Sequence, residues 1–349
     1  MIGFLISLGI ILLIIAGVQL VKVLDLSAEL QGKGNENEVS TEGENRTNGT
    51  LYFLFMIAFF GFVIWLTARY KDFLLPAPAS EHGQGIDDMM HLNLVIIAIV
   101  FFITNILLFF FAFRYYGRKN GKATFYPHNN KLEVAWTITP MIALAGLITY
   151  GLTIWNSTMS TTKYAPDEYL KIELYAKQFD WTAHYAGADK AFGKASYRLI
   201  TPANVLGLDS TDAHNADDKI TKELHLPVNK PVLLTFRSRD VIHSAYLPHF
   251  RVQMNCVPGM TTQFAFTPTK TTAEMRQDPF VINKYAKINE LRHERLPGEE
   301  DVQFDYLLLC NKICGTAHNN MQLKVVVETE EEFNAWLAQQ STFIDNTTK

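Results

Sequence analysis

Cysteine is scarce: the 349 residues hold only 3, Cys256, Cys310 and Cys314. So few thiols exclude a multi-disulfide scaffold. The Cys-x-x-Cys-His pattern that attaches a c-type haem is also missing. Charge of one sign is lacking as well: 31 basic against 35 acidic residues give a net charge of -4, with no nucleic-acid signature. Internal repeats are absent. The N-terminus has neither a basic leader nor an Ala-x-Ala cleavage site, so its apolar run reads as a retained span, a signal anchor at most.

Long hydrophobic runs are what the chain does have. Four of them, near 2–24, 50–68, 92–113 and 135–155, approach or exceed the roughly 20 apolar residues that cross a bilayer. They predict four transmembrane helices. A flexible polar loop at 25–49 and a second loop at 69–91 separate the first three, and 92–155 forms a helical hairpin. The connecting segment 114–133 carries Arg114, Arg118, Lys119, Lys122 and Lys131 against one acid, which places it in the cytoplasm. Residues from 156 to 349 are then outside, and so is the N-terminus.

The outer segment changes character. Short stretches such as "YLKIELYAKQFDW", "PVLLTFRSRDVIHS", "TQFAFTP", "FDYLLLC" and "LKVVVETEEEF" alternate or run apolar between Pro, Gly and Asn. They predict a small antiparallel sandwich or barrel. Segment 272–300 reads as a helical insertion, and the acidic turn at "ETEEEF" suits a helix N-terminus.

The chemistry concentrates in "CNKICGTAHNNM", residues 310–321, with Cys310, Cys314, His318 and Met321. Helical spacing could align all four. However, Gly315, Asn319 and Asn320 between two strand-like stretches point to a loop. A Cys310–Cys314 disulfide would leave the imidazole and thioether without a purpose. Zinc is the serious rival, because two Cys and two His complete a closed tetrahedral site. Met321 favours copper, since a thioether suits copper far better than Zn²⁺. A further ligand has to come from elsewhere, and His243 in "RSRDVIHSAYLP" is the best placed. Cys256 reads as a small buried hydrophobe.

The "DVIHS" stretch together with Cys-x3-Cys-x3-His-x2-Met resembles the binuclear CuA domain of cytochrome c oxidase subunit II. "LEVAWTITPMI" (132–142) is similar to the start of that family's second transmembrane helix. The resemblance covers roughly 90–155 and 168–340. It implies a helical membrane part followed by an all-β, cupredoxin-like Greek-key domain. It also implies Cys310 and Cys314 as thiolates bridging two coppers, His243 and His318 capping one each, Met321 as a weak axial ligand, and the Lys312 backbone carbonyl as a further donor. Haem would reside only in the partner subunit I. A cytochrome c or another haem c donor, a tethered supercomplex partner included, would supply electrons for reduction of oxygen to water by a proton-pumping oxidase. The setting would be the lipid bilayer of a bacterial inner membrane, with the copper domain in the periplasm.

Two positions depart from the family pattern. Its glutamate, which helps to hold an interface Mg²⁺, is replaced by Lys312, and an ammonium cannot bind a hard cation. Its "QWxW" becomes "QFDW", with Phe179 in place of the first Trp and Trp181 retained; both rings are candidates for the point where electrons enter. Glu133, at the cytoplasmic start of the last span, matches the family's glutamate at the mouth of a proton pathway. The competing readings are a quinol-oxidase subunit, whose relatives lack the copper ligands, and a zinc-stabilised membrane anchor or assembly module without redox activity.

Overall fold

The computed structural model describes residues 2–30, 40–71, 75–118, 120–122 and 124–347. These residues fall into two compact units, 1–69 with 98–129 and 70–97 with 130–349.

Four long helices are present: α1 (Ile2–Leu30), α2 (Glu42–Tyr70), α3 (Gly83–Arg114) and α4 (Asn130–Met159). Among the described residues, α2, α3 and α4 are long and apolar enough to cross a membrane. The structure therefore supports three spans where the sequence predicts four. Every helix also outruns its apolar stretch. Residues 25–30 belong to α1 and 42–49 to α2, so the predicted loop at 25–49 shrinks, and 31–39 of it lie outside the described residues. The reason is local capping. The Thr41 hydroxyl accepts from the Glu44 N–H (3.2 Å) and Glu44 accepts from the Thr41 N–H (2.6 Å), which starts α2 well before its first apolar residue. Lys119, counted in the basic loop, also lies outside the described residues.

In the first unit, α2 meets the later part of α3 through aromatic rings. Phe60 lies 5.0 Å from Phe102 and Phe53 lies 4.9 Å from Phe113, centroid to centroid. Gly49 packs against the backbone of Ala112 and Phe113, where an added Cβ would sit in ordinary contact at 3.5 Å.

Among the described residues of the second unit, ten strands form two five-stranded sheets. One has the order β3 (Lys219–Thr221), β2 (Asp180–Tyr185), β1 (Leu170–Lys177), β5 (Val232–Ser238), β8 (Thr262–Phe266). The other runs β4 (Leu224–Pro227), β10 (Gln322–Glu328), β9 (Tyr306–Cys310), β6 (His243–Leu247), β7 (Val252–Cys256). The sequence predicts an antiparallel sandwich, but the sheets are mixed, because β1 pairs with β5 and β4 with β10 in parallel. Both pairs join strands distant in the chain, and single-sequence alternation carries no information about such pairing. The core between the sheets holds Ile172, Leu174, Trp181, Phe236, Tyr306 and Val325.

Strand β1 is buried on both faces for five residues in succession. Its outer face is covered by the long β2–β3 connection, where Leu206 and Leu208 pack on Tyr175 and Phe343. Segment 272–300 is helical, as its composition suggests, forming α5 (Thr272–Arg276) and α6 (Pro279–Arg295). The acidic turn opens α7 (Glu330–Gln339) through a capping box between Thr329 and Glu332, and α8 (Phe343–Thr347) ends the described chain.

Candidate metal centre

Strand register builds the site. Residues 311–321 connect β9 to β10, whose pairing sets Leu309 against Gln322. Strand β6 lies on the other side of β9, with Ala245 opposite Cys310. His243, two residues before Ala245, is thereby carried beside the loop it is 67 positions away from in sequence. Backbone bonds hold the loop closed: the Cys310 N–H donates to Met321 O (3.1 Å) and the Asn311 N–H to Ser244 O (2.9 Å).

All six predicted donors meet here. The two sulfurs are 3.8 Å apart. Nδ1 of His243 stands 3.8 Å from Cys310 Sγ, and Nδ1 of His318 stands 3.6 Å from Cys314 Sγ. The Met321 sulfur is 3.8 Å from Cys314 Sγ, and the Lys312 carbonyl oxygen is 3.3 Å from Cys310 Sγ. His243, Cys310 and Cys314 present donor atoms within 4.8 Å of one another. The cysteines are free thiols. Burial, and next the neighbouring Cys310, push the Cys314 thiol up to about 11. A bound cation would reverse that direction, because a coordinating thiol loses its proton. Two soft sulfurs, a thioether and two imidazoles fit copper.

His243 is fully buried, and its other ring nitrogen, Nε2, lies 2.8 Å from Asp240 Oδ1. Burial raises the Asp240 carboxyl, but the Gln178 N–H, the His243 ring and the Val241 N–H together hold it below the usual carboxylate range. The Gln178 side chain donates to the Cys314 carbonyl at 2.5 Å. Gly315 follows at φ +146°, a backbone conformation that side chains rarely adopt, and a Cβ there would come within 2.7 Å of the Phe179 ring. Reasoning from sequence missed Asp240 and the bonding of Gln178. The "DVIH" spacing was a usable signal, since an acid three residues from a ligand His can reach its far nitrogen.

The two aromatic candidates separate. Trp181 is 0% exposed, with its ring 6.2 Å from that of His243. Phe179 is half-buried against the 311–321 loop and lies nearer the surface. The Lys312 side chain is exposed beside Ile313, which is 87% exposed. Glu133 is remote from all of these, exposed in the first turn of α4. Cys256, paired in register with His243, is buried in the core with its thiol pushed up to about 12 by burial.

Apolar helices long enough to cross a membrane, followed by a two-sheet domain with a sulfur-rich donor loop, define a membrane-anchored protein with a candidate metal centre. Comparison with known proteins makes this specific. The family model for the cytochrome C oxidase subunit II transmembrane domain matches residues 68–154, and that for its periplasmic domain matches 170–277. The second match takes in His243 and stops before the 310–321 loop. The chain is 32% identical over 268 residues to the alternative cytochrome c oxidase subunit 2 of Bradyrhizobium diazoefficiens, covering 76% of this chain and 84% of the relative. Cytochrome c oxidase subunit 2 of Cereibacter sphaeroides is 25% identical over 260 residues, covering 70% and 73%. That of Thermostichus vulcanus is 26% identical over 292 residues, covering 76% and 78%. The chain belongs to the cytochrome c oxidase subunit II family. It is part of an oxidoreductase complex in a membrane, with a periplasmic domain of the type that takes up electrons at CuA.

Proposed function

We propose that this chain holds a binuclear copper centre between His243, Cys310, Cys314, His318, Met321 and the Lys312 carbonyl. One observation carries the reading. The imidazoles are divided between the two sulfurs, His243 beside Cys310 and His318 beside Cys314, as two bridged metals require. Bound there, a copper pair supplies one-electron uptake and release with its charge spread over both metals. The residues would hold it: Cys310 and Cys314 would supply the two thiolates, His243 and His318 one imidazole each, and Met321, 1% exposed, a thioether from within the core that would tune the potential. Phe179, half-buried against Gly315, is the ring that a haem c donor would contact, and Trp181 backs His243 from the core.

The neighbouring partner on the other route is subunit I, which holds the haem. Lys312 faces outward and would pair there with an anion in place of the family's Mg²⁺. Glu133 collects protons on the cytoplasmic side for a buried path. On this reading α1 is a fourth span, 156–349 is the periplasmic domain, and the membrane is a bacterial inner membrane.

The test is copper reconstitution of the full chain, followed by near-infrared absorption and EPR. A mixed-valence signal shared over two equivalent copper nuclei is the expected result. Stoichiometric zinc with no such signal would instead favour the zinc-stabilised anchor.

A further inference from the structure

Outside the donor set, one group of polar contacts joins the two chain segments that carry the ligands. Asp240 sits in the turn between β5 and β6. Its Oδ1 accepts from the Val241 N–H (2.7 Å) and lies 2.8 Å from His243 Nε2, and its Oδ2 accepts from the Gln178 N–H (2.7 Å). Gln178 belongs to a third segment, the turn between β1 and β2, and its side-chain amide donates to the Cys314 carbonyl (2.5 Å). The chain of contacts is therefore His243, Asp240, Gln178, Cys314. It crosses from one ligand segment to the other without passing through any sulfur.

We propose that Asp240 and Gln178 are positioning residues for the copper pair. Asp240 fixes which nitrogen of His243 carries the proton, and Gln178 fixes the height of the Cys314 end of the loop. This rests on the copper reading above and names what holds its ligands in register. The physical argument is one of donors and acceptors. An ionised carboxylate only accepts, so every nitrogen that faces it has to present a hydrogen. His243 must then be protonated on Nε2, which leaves the Nδ1 lone pair facing Cys310 Sγ. A metal-bound histidine is oriented in this way when its far nitrogen donates to a carboxylate.

Gln178 acts on the opposite side. The Cys314 carbonyl precedes Gly315, whose φ of +146° is one that side-chain-bearing residues rarely adopt, so this part of the loop has the extra backbone freedom of a glycine. A donor on that carbonyl, with the Phe179 ring closing the space where a Cβ would lie, selects one backbone path. Both struts lie at the rim, since the Asp240 side chain is 29% exposed and Gln178 is exposed, so neither is needed to fill the core.

The test uses the full-length chain in detergent, with three readouts that do not depend on oxidase turnover. Nitrogen-15 NMR of the metal-free chain reports the His243 tautomer. Copper retention against a chelator reports affinity, and EPR hyperfine structure reports how evenly the pair is held. In the wild type His243 should carry its proton on Nε2. Asp240→Asn turns an N–H towards one of the fixed backbone donors whichever way the amide lies, so both tautomers should appear. Copper retention should fall about 10-fold or more, with uneven hyperfine coupling. Asp240→Glu keeps a carboxylate and should return the single tautomer.

Gln178→Leu should leave the tautomer unchanged, weaken retention by a similar factor and distort the hyperfine pattern. If the variants lower only the melting temperature, with retention and hyperfine structure intact, the contacts are merely structural and the proposal is overturned. A wild-type chain that takes up no copper pair would sink the function itself. In that case the tautomer of His243 in the metal-free chain would still decide this inference: a proton on Nδ1 overturns it.

Discussion

Arg251 grips Asp87 with two parallel hydrogen bonds, Nε to Oδ1 at 2.7 Å and Nη2 to Oδ2 at 2.8 Å. The pair ties the start of β7 to the first turns of α3 and is nearly out of solvent, with side chains 7% and 10% exposed. The same guanidinium donates to Pro248 O and Pro76 O, so three segments converge on one cation. Asp87→Ala leaves that cation buried without its counter-charge, a loss of about 3–5 kcal/mol. Unfolding of the full chain in detergent checks this. Adding Arg251→Met to Asp87→Ala should cost less than the two single changes summed. A melting temperature unchanged in Asp87→Ala would show that the pair contributes nothing.

Cys310→Ser and Cys314→Ser each remove one of the two thiolates proposed to bridge the pair, so both should abolish the mixed-valence spectrum and electron uptake. His243→Ala should do so only in part, leaving a lopsided pair. Met321→Leu keeps the volume of a side chain that is 1% exposed, so copper should remain bound with its potential shifted. EPR and redox titration separate these cases. A normal delocalised signal in Cys314→Ser rules the assignment out.

His184 is buried between Glu173 Oε2 (3.2 Å from Nδ1) and Asp218 Oδ2 (2.7 Å from Nε2). Burial alone would lower its pKa, but the two carboxylates outweigh that and raise it above the ordinary 6.5. A raised pKa means that the folded chain holds this proton more tightly than the unfolded one. The stability it contributes is therefore complete below 6.5 and is lost as the pH climbs through the folded value. NMR titration of the ring, compared with unfolding midpoints over the same range, checks the sign. Stability that rises through that window instead would refute it.

Glu133→Gln should slow steady-state oxygen reduction in the assembled oxidase and leave reduction of the copper centre by the donor unchanged. Stopped-flow absorption resolves the two. If turnover matches wild type across pH, Glu133 serves only as a polar helix start.

Lys312→Met should leave the copper spectrum nearly intact, because the proposed ligand at this position is the backbone carbonyl, which the substitution keeps. Transfer from copper to haem should slow if, as proposed, the ammonium pairs with an anion of subunit I, because removing it would leave that anion without a counter-charge. Flash-induced electron transfer measures it, with Mn²⁺ titrated as an EPR probe of a Mg²⁺ site. Wild-type rates in the variant, or a stoichiometric Mn²⁺ site in the unaltered protein, would show that Lys312 does not replace the metal.

What the sequence determined by itself is whatever is encoded at short range. Cys310, Cys314, His318 and Met321 lie within twelve consecutive residues, so one loop brings them together on almost any fold that closes it. The spans at α2, α3 and α4 were legible because a bilayer demands long apolar runs. Their ends were not, because a cap such as Thr41 with Glu44 extends a helix through polar residues that hydropathy excludes.

The tertiary structure alone decided the rest, because it depends on which strand lies beside which. Pairing of β6 with β9 delivers His243 to Cys310, and parallel pairing of β1 with β5 sets the turn of Gln178 beside Asp240. Trp181 and Phe179, two residues apart, end on opposite sides of one question: the first is sealed in the core and the second faces the loop. Nothing local distinguishes them. Burial and hydrogen bonding are settled by neighbours far away in the chain, and a single sequence does not specify those neighbours until the sheets close.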